Sequence, residues 1–226
     1  MSGIQSWLEF MREDWTDIWA LTWEHGVMVV QVMVAATIFS VALGVLVQGN
    51  TFGFLREPSL VIASVFLTIP SLALFTLFIP VFGIGKWPPR VALFMYAILP
   101  ILRNTVTGLD SVDPAVEESA KGMGMSSTRR LFQIRIPLAL PVIVTGIRVA
   151  TLLTCGIAAI ATLVAGGGLG DLIKSGFTRL GLPNSMEAIW AGTVMTVVIA
   201  LVLDLVLAVL LKILSPRVFA IVGETV

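Results

Sequence analysis

Charge is scarce in this chain of 226 residues. Asp, Glu, Lys and Arg together make up 12%, about half the share usual in soluble domains. So few charges cannot cover a water-facing surface, which excludes an ordinary soluble domain. The formal net charge is zero, so no basic face is offered to nucleic acid. The single cysteine, Cys155, sits in an apolar run. Neither a disulfide framework nor a cysteine-based zinc site is available. The single histidine, His25, cannot build a multi-histidine metal site, and Ser/His/Asp or Cys/His catalytic sets are excluded in the membrane because that histidine is expected outside it. No Walker motif occurs, since no glycine is followed directly by Lys-Ser or Lys-Thr, so the chain does not hold ATP by a P-loop. A basic start is also missing. Glu9, Glu13, Asp14, Asp17 and Glu24 precede the first apolar run, whereas a cleaved leader needs a positive start and a short apolar core. The N-terminus is therefore expected to be retained.

What is abundant is apolar. Hydrophobic residues make up 57% of the chain and its mean hydropathy is +0.99. Four or five runs reach the ~20 residues that a helix needs to cross a bilayer. They fall at about 26–47, 59–80, 90–108, 139–165 and 186–213. The expected fold is an all-α membrane protein of about five transmembrane helices. Its transmembrane domain spans 26–214, preceded by an interfacial segment, 1–25, and followed by a tail, 215–226. Pro70 and Pro100 lie inside the second and third runs, where neighbouring helices can satisfy the carbonyls they free. They serve either helix shape alone or as bending points of a gate.

Basic residues set the expected orientation. With the 109–137 loop in the cytoplasm, Arg56, Arg103, Lys121, Arg129, Arg130, Arg135, Lys212 and Arg217 lie on or near that side. Arg12, Lys86, Arg90, Lys174 and Arg179 lie outside, and Arg148 lies within a helix. Trp7, Trp15, Trp19, Trp23, Trp87 and Trp190 then gather at the outer interface, a position indoles favour. The reading is N-terminus out and C-terminus in. Across 4–24, Leu8, Met11, Trp15, Trp19 and Trp23 recur at helical spacing among acids. This fits an amphipathic helix lying on the outer surface or packed on the bundle.

The polar loop carries the strongest local signal. Asp113-Pro114 opens a helix, with Asp as cap and Pro in the first turn. Glu117 and Glu118 suit its positive end. Ser119 and Ala120 are small, and Gly122 and Gly124 break it. Ser126-Ser127 caps a second short helix carrying Arg129, Arg130, Leu131 and Phe132, with Pro137 expected to end it. The product is a helix–turn–helix knob whose small residues allow a partner to approach closely.

Within it stand Glu118-Ser119-Ala120, Gly124 after three intervening residues, and Ile134-Arg135-Ile136-Pro137 after nine more. This resembles the E-A-A-x3-G-x9-I-x-L-P motif of importer-type ABC permeases, with Ser119 in place of Ala and Ile136 in place of Leu. Further stretches extend the resemblance to permeases of glycine betaine, carnitine and choline importers over most of 60–215: Thr68–Ala73, Leu99–Thr105, Lys121–Met125, Gly146–Arg148 and Gly167–Asp171. The resemblance implies a type I importer bundle in a bacterial inner membrane, whose loop forms coupling helices on a cytosolic ATPase. It implies a second permease subunit, identical or related, and an extracytoplasmic solute-binding protein. No cofactor is expected in this chain; ATP and Mg²⁺ belong to the partner ATPase. Methionine-type permeases share the five-span plan. An ion-coupled secondary transporter is a rival of another class, and inverted repeats would support it, but none is convincing here. A non-transporting membrane scaffold is a third.

Two more sites are expected. Arg148 lies about 10 Å in from Pro141, and Asp204 about 12 Å in from Lys212, at 1.5 Å per residue. Opposite signs at similar depth predict an ion pair joining the fourth and fifth spans, against the alternative of a snorkelling Arg148 and a separately hydrogen-bonded Asp204. Gly166, Gly167, Gly168 and Gly170 read as a tight re-entrant turn near an outer gate, or else as a flexible connector. On the gate reading, alanine at Gly168 and Gly170 impairs transport and spares assembly.

Overall fold

A computed structural model describes residues 3–49 and 52–214; Arg217 and the 215–226 tail lie outside the described residues. The regular structure of the described residues is all helical, with no strand among them. The first helix, α1 (Gly3–Glu13), meets α2 (Trp15–Val47) at Asp14. Asp14 N donates to Phe10 O and Ile18 N donates to Asp14 O, each at 3.0 Å, so the chain bends there without leaving the helical path. The segment over 1–25 is thus not one separate helix. Residues 15–25 are the first turns of the long membrane helix, and only α1 is distinct. No glycine or proline interrupts 15–25, so nothing stops the helix where polarity changes. Phe10 anchors α1 by burying itself against Leu169, Leu172, Ala188 and Ala191, while Trp15, Trp19 and Trp23 stay exposed.

The second apolar run is broken. After a short 3₁₀ turn at Gly53–Leu55, α3 (Arg56–Thr68) and α4 (Ser71–Leu77), continued by the short α5 (Ile79–Phe82), meet at a bend of 103°. Pro70 cannot continue the helix of the residues before it. The hydroxyl of Tyr96 donates to Ile69 O across 2.5 Å, so the carbonyl freed at the bend has a partner.

The centre of the bundle is α6 (Trp87–Asp110), which runs through Pro100 without ending. Its contacts explain its sequence. Toward α2, Thr105 fills the space left by Gly44. Toward α3, Leu99, Leu102 and Val106 meet Ala63. Beyond α7 (Pro114–Gly122) in the polar loop comes its third neighbour, a long helix made of α8 (Ser127–Arg130), a π-helical turn (Leu131–Arg135) and α9 (Ile136–Ala158), extended by a 3₁₀ segment (Ala159–Val164). Gly108 and Gly146 let α6 and α9 touch. A Cβ on Gly146 would come within 2.5 Å of Asn104 Cβ and 2.7 Å of Pro100 O. Pro137 does not end the helix, contrary to expectation. It sits in the first turn of α9, directly after the π turn. The wider turn moves the preceding carbonyls away from the ring that would otherwise strike them.

The last elements are α10 (Gly170–Thr178) and α11 (Ser185–Leu214). Among the described residues four helices are long and apolar enough to cross a membrane, and the bent pair, counted as one span, makes a fifth.

Candidate functional site

Three places gather the polar chemistry of the bundle. The first is the knob. Asp113 Oδ1 accepts from Ala115 N at 2.8 Å, and Ser126 Oγ from Arg129 N at 3.4 Å. Both short helices are therefore capped by their own first side chains, which satisfies amides a short helix cannot pair internally. Glu117 faces two of the three arginines of the second piece, with its carboxylate 3.8 Å from Arg130 Nε and 3.9 Å from Arg135 Nε. Arg130 donates to Met125 O at 2.8 Å and Arg129 to Gln133 at 2.9 Å. Arg135 reaches Leu109 O at the end of α6, at 3.4 Å, tying the knob to the bundle. Ala120 is buried inside it. Ser119 Oγ donates to Ala115 O. Ile134 and Ile136 are half-buried on the long helix and Pro137 is exposed.

Glu118 is exposed and has no partner among the described residues, so its charge is free for another molecule. Val116 (41% exposed), Met123 (75%) and Phe132 (63%) project apolar surface from the same knob. The sequence reading passed over Met123 and Val116. The signal available was Met123 standing between two glycines in a polar loop. Gly122 closes α7, and Gly124 has φ +80° with open space around it. Its glycine is required by backbone conformation, which L residues adopt at a cost of about 1–2 kcal/mol. Gly124→Ala is expected to cost about 1 kcal/mol, read as a lower melting temperature, with Gly122→Ala neutral in the same assay.

Beside the knob lies a second cluster that sequence reasoning did not find. Asp110, the last residue of α6, takes Arg56 as an ion pair and Gln48 Nε2 at 2.9 Å, and Gln48 also reaches Val106 O at 3.1 Å. The ends of α2, α3 and α6 are thereby joined. These residues lie far apart in sequence, and nothing local marks them as partners.

The second place is inside the bundle. Arg148 on α9 meets Asp204 on α11 through two parallel bonds, Nε to Oδ1 and Nη2 to Oδ2, each 2.7 Å. The fork-on-fork geometry is the strongest form of such a contact, and it leaves the pair electrically neutral.

The third place is the opposite end. Gly166, Gly167 and Gly168 form the turn after the 3₁₀ segment, and two different needs select glycine there. Gly167 and Gly168 have φ of +79° and +83°. Gly166 instead lies where a Cβ would come within 2.7 Å of Ala161 and 2.9 Å of Pro89. Gly170 is not part of the turn. It is the first residue of α10, and its Cα faces the carbonyl of Ala159 so closely that no Cβ fits. The turn is held on both sides: Thr162 donates to Asp171, and Glu24, ion-paired with Lys86, lies against Gly167. His25, expected outside the membrane region, is instead fully buried beneath this turn, with Nε2 3.2 Å from Cys155 O.

A furrow of about 390 Å³ runs between α2, α9 and α11, lined by residues such as Val30, Val34, Leu203 and Leu207. Its lining is apolar, which suits lipid and provides none of the placed polar groups that fix a solute.

Comparison with known proteins follows this geometry. The model of the family "Binding-protein-dependent transport system inner membrane component" matches residues 36–220. An osmoprotectant import permease of Salmonella typhimurium is 39% identical over 93% of this chain and 97% of its own length. A choline transport system permease of Bacillus subtilis is 38% identical over 92% of this chain and 94% of its own. A glycine betaine/carnitine/choline permease of the same organism is 37% identical over 93% and 94%. In structure, the chain is similar to one from the inward-facing MetNI methionine ABC transporter. The TM-score is 0.75 at 20% identity, covering 95% of this chain and 99% of that one.

Proposed function

We propose, from the premise that this chain belongs to the family of binding-protein-dependent transport system inner membrane components, that with a second permease subunit it forms the translocation pathway of an ATP-driven importer for a small quaternary ammonium solute of the glycine betaine, carnitine or choline kind. It is a multi-pass protein of the bacterial inner membrane and a non-catalytic permease subunit. The observation that carries the coupling role is the knob, a rigid, capped pair of short helices that leaves Glu118 and three apolar side chains uncovered. A polar loop needs no such apolar surface unless a protein covers it.

The knob then docks on a cytosolic ATPase, which holds ATP and Mg²⁺, with the N-terminus outside and the C-terminus inside. ATP-driven closure of two ATPase subunits draws two knobs together, tilts the spans and opens the pathway outward. A solute-binding protein delivers cargo there, and hydrolysis returns the pathway inward. The change is a population shift, driven by a ligand that binds one packed state better. The glycine turn of 166–168 and the bends at Pro70 and Pro100 are the elements proposed to move as gates.

Relatives at 37–39% identity support the quaternary ammonium cargo over a methionine-type one. An ion-coupled mechanism finds little support in the Arg148–Asp204 pair, since the carboxylate is already matched to a fixed guanidinium by two 2.7 Å bonds. The test is co-purification with candidate cytosolic ATPases and measurement of their ATPase activity. The unaltered chain is expected to bind and regulate an ATPase, and E118K and G124W to release it. If no ATPase associates, or if both variants behave as the parent does, the importer reading fails.

A further inference from the structure

Three sides of α6 are covered. Gly44 of α2 lies against Thr105, Ala63 of α3 belongs with Leu99, Leu102 and Val106, and Gly146 of α9 lies against Asn104 and Pro100 O. Arg103 and Thr107, one turn apart, share the side left open, and Tyr96, two turns before Arg103, is buried against the bend before α4. Arg103 and Thr107 are exposed on that face and Pro100 is half-buried. Among the described residues no carboxylate or carbonyl meets the Arg103 guanidinium, whereas Arg148 is fully paired. Arg103 lies seven residues before the end of α6 at Asp110, about 10 Å along the axis at 1.5 Å per residue. An unpaired charge in hydrocarbon costs about 2.5–3.5 kcal/mol or more and is found facing water or protein instead.

An independent feature marks the same face. The non-helical backbone at Ile69–Pro70 abuts Tyr96, in the middle of α6, and Pro70 is exposed. Irregular backbone at membrane depth is tolerated only where it is buried in protein or lines a water-filled space. A lone cation and a broken helix on one side of the bundle both exclude lipid from it.

Resting on the permease reading, we propose that this face of α6, with the bend at Ile69–Pro70, lines the translocation pathway, and that Arg103 is its specificity-determining residue, taking the carboxylate of a zwitterionic solute. A fixed guanidinium in the pathway disfavours a bare cation and pairs with a carboxylate in fork geometry. Zwitterions that carry both an ammonium and a carboxylate therefore pass with its help, and cations lacking the carboxylate do not gain from it.

Two readouts on the complete importer, reconstituted with its ATPase and binding protein, test this. The first is labelling of T107C by an anionic sulfonate and a cationic trimethylammonium thiol reagent, with the unaltered protein, whose Cys155 is buried, as background. Thr107 lies one turn from Arg103, so the anionic reagent is expected to be favoured by about tenfold relative to a free thiol, as a unit charge at that distance dictates. R103Q is expected to abolish the preference. The second is uptake. R103Q is expected to lower glycine betaine transport about tenfold and leave choline transport unreduced, with R103K restoring only part of the glycine betaine transport, since it returns the charge without the fork. An unreactive T107C, a labelling preference indifferent to R103Q, or equal loss of both solutes would each overturn the proposal. ATPase association is measured on the same samples. Its absence from the parent protein removes the permease reading, while its presence beside indifferent labelling removes only the role of Arg103.

Discussion

Removing one charge of the Arg148–Asp204 pair is expected to cost about 3 kcal/mol, the order of the penalty for an uncompensated charge inside a membrane helix. Each side chain satisfies the other with two bonds of 2.7 Å, and each is held on a separate span. In R148A the carboxylate keeps its place on α11 with no donor, and in D204A the guanidinium keeps its place on α9 with no acceptor. Both variants are expected to melt earlier in detergent and to transport poorly. R148A/D204A is expected to lose no more than either single variant, since it leaves no orphan charge, and removing both partners of such a pair is often close to neutral. Thermal melting and uptake of all three decide the matter. If the losses in the double variant equal the sum of the singles, the two residues act independently and the pair does not join α9 to α11.

Gly170→Ala is the second large effect. The sequence reading treats Gly168 and Gly170 alike, as parts of one turn whose restriction impairs transport and spares assembly. The packing separates them. At Gly170 the added methyl meets the backbone carbonyl of Ala159 and, at 3.0 Å, Thr162 Cγ2. Backbone cannot swing aside as a side-chain end can, so the start of α10 must shift. Overpacking of this kind costs about 1–3 kcal/mol or more, and G170A is expected at the upper end, with a lower folded yield. At Gly168 the costs are φ +83° and contacts of 3.1 and 3.2 Å with His25 Nδ1 and Cβ, which a shift of a few tenths of an ångström relieves, against the far closer Ala159 carbonyl at Gly170. G168A is therefore expected to fold and to change transport. Gly156→Ala, with open space around it on α9, is expected to fold as the parent does. Size-exclusion profiles of the three variants give the comparison. Equal yields for G170A and G156A would contradict the contact at Ala159.

The number of spans, the knob and its caps were legible because each is written locally. Apolar length marks a membrane helix whatever surrounds it, and Asp113-Pro114 and Ser126 cap helices through their own nearest amides. Breaks were harder to read. Pro70 and Pro137 look alike in sequence, yet one lies at a bend of 103° and the other lies in the first turn of an unbroken helix. The difference is made by what stands next to each. Tyr96 takes up the carbonyl at Ile69, and the π turn makes room before Pro137. The N-terminal boundary was misplaced for a related reason. A change of polarity at residue 25 is visible in the sequence, but a helix ends only where backbone conformation or hydrogen bonding stops it, and neither stops α2 before Val47.

Composition and spacing by themselves determined that this is a helical membrane protein with a capped polar loop, and they singled out Arg148 and Asp204 as opposite charges at similar depth. Such features depend on the energy of moving a residue from water to hydrocarbon, or on atoms a few residues apart. Only the tertiary structure decided which arginine is left alone. Arg103 was read from sequence as one of the charges near the cytoplasmic side and Arg148 as a charge within a helix, but the packing shows that the position of α11 supplies Arg148 with a carboxylate and leaves Arg103 without one. It decided likewise that Asp110 joins α2 and α3 to α6, and that Gly170 is held by contact while Gly167 and Gly168 are held by conformation. Partners brought together from distant parts of the chain leave no local pattern, because the free energy that selects them is set by which surfaces the packed helices turn toward one another.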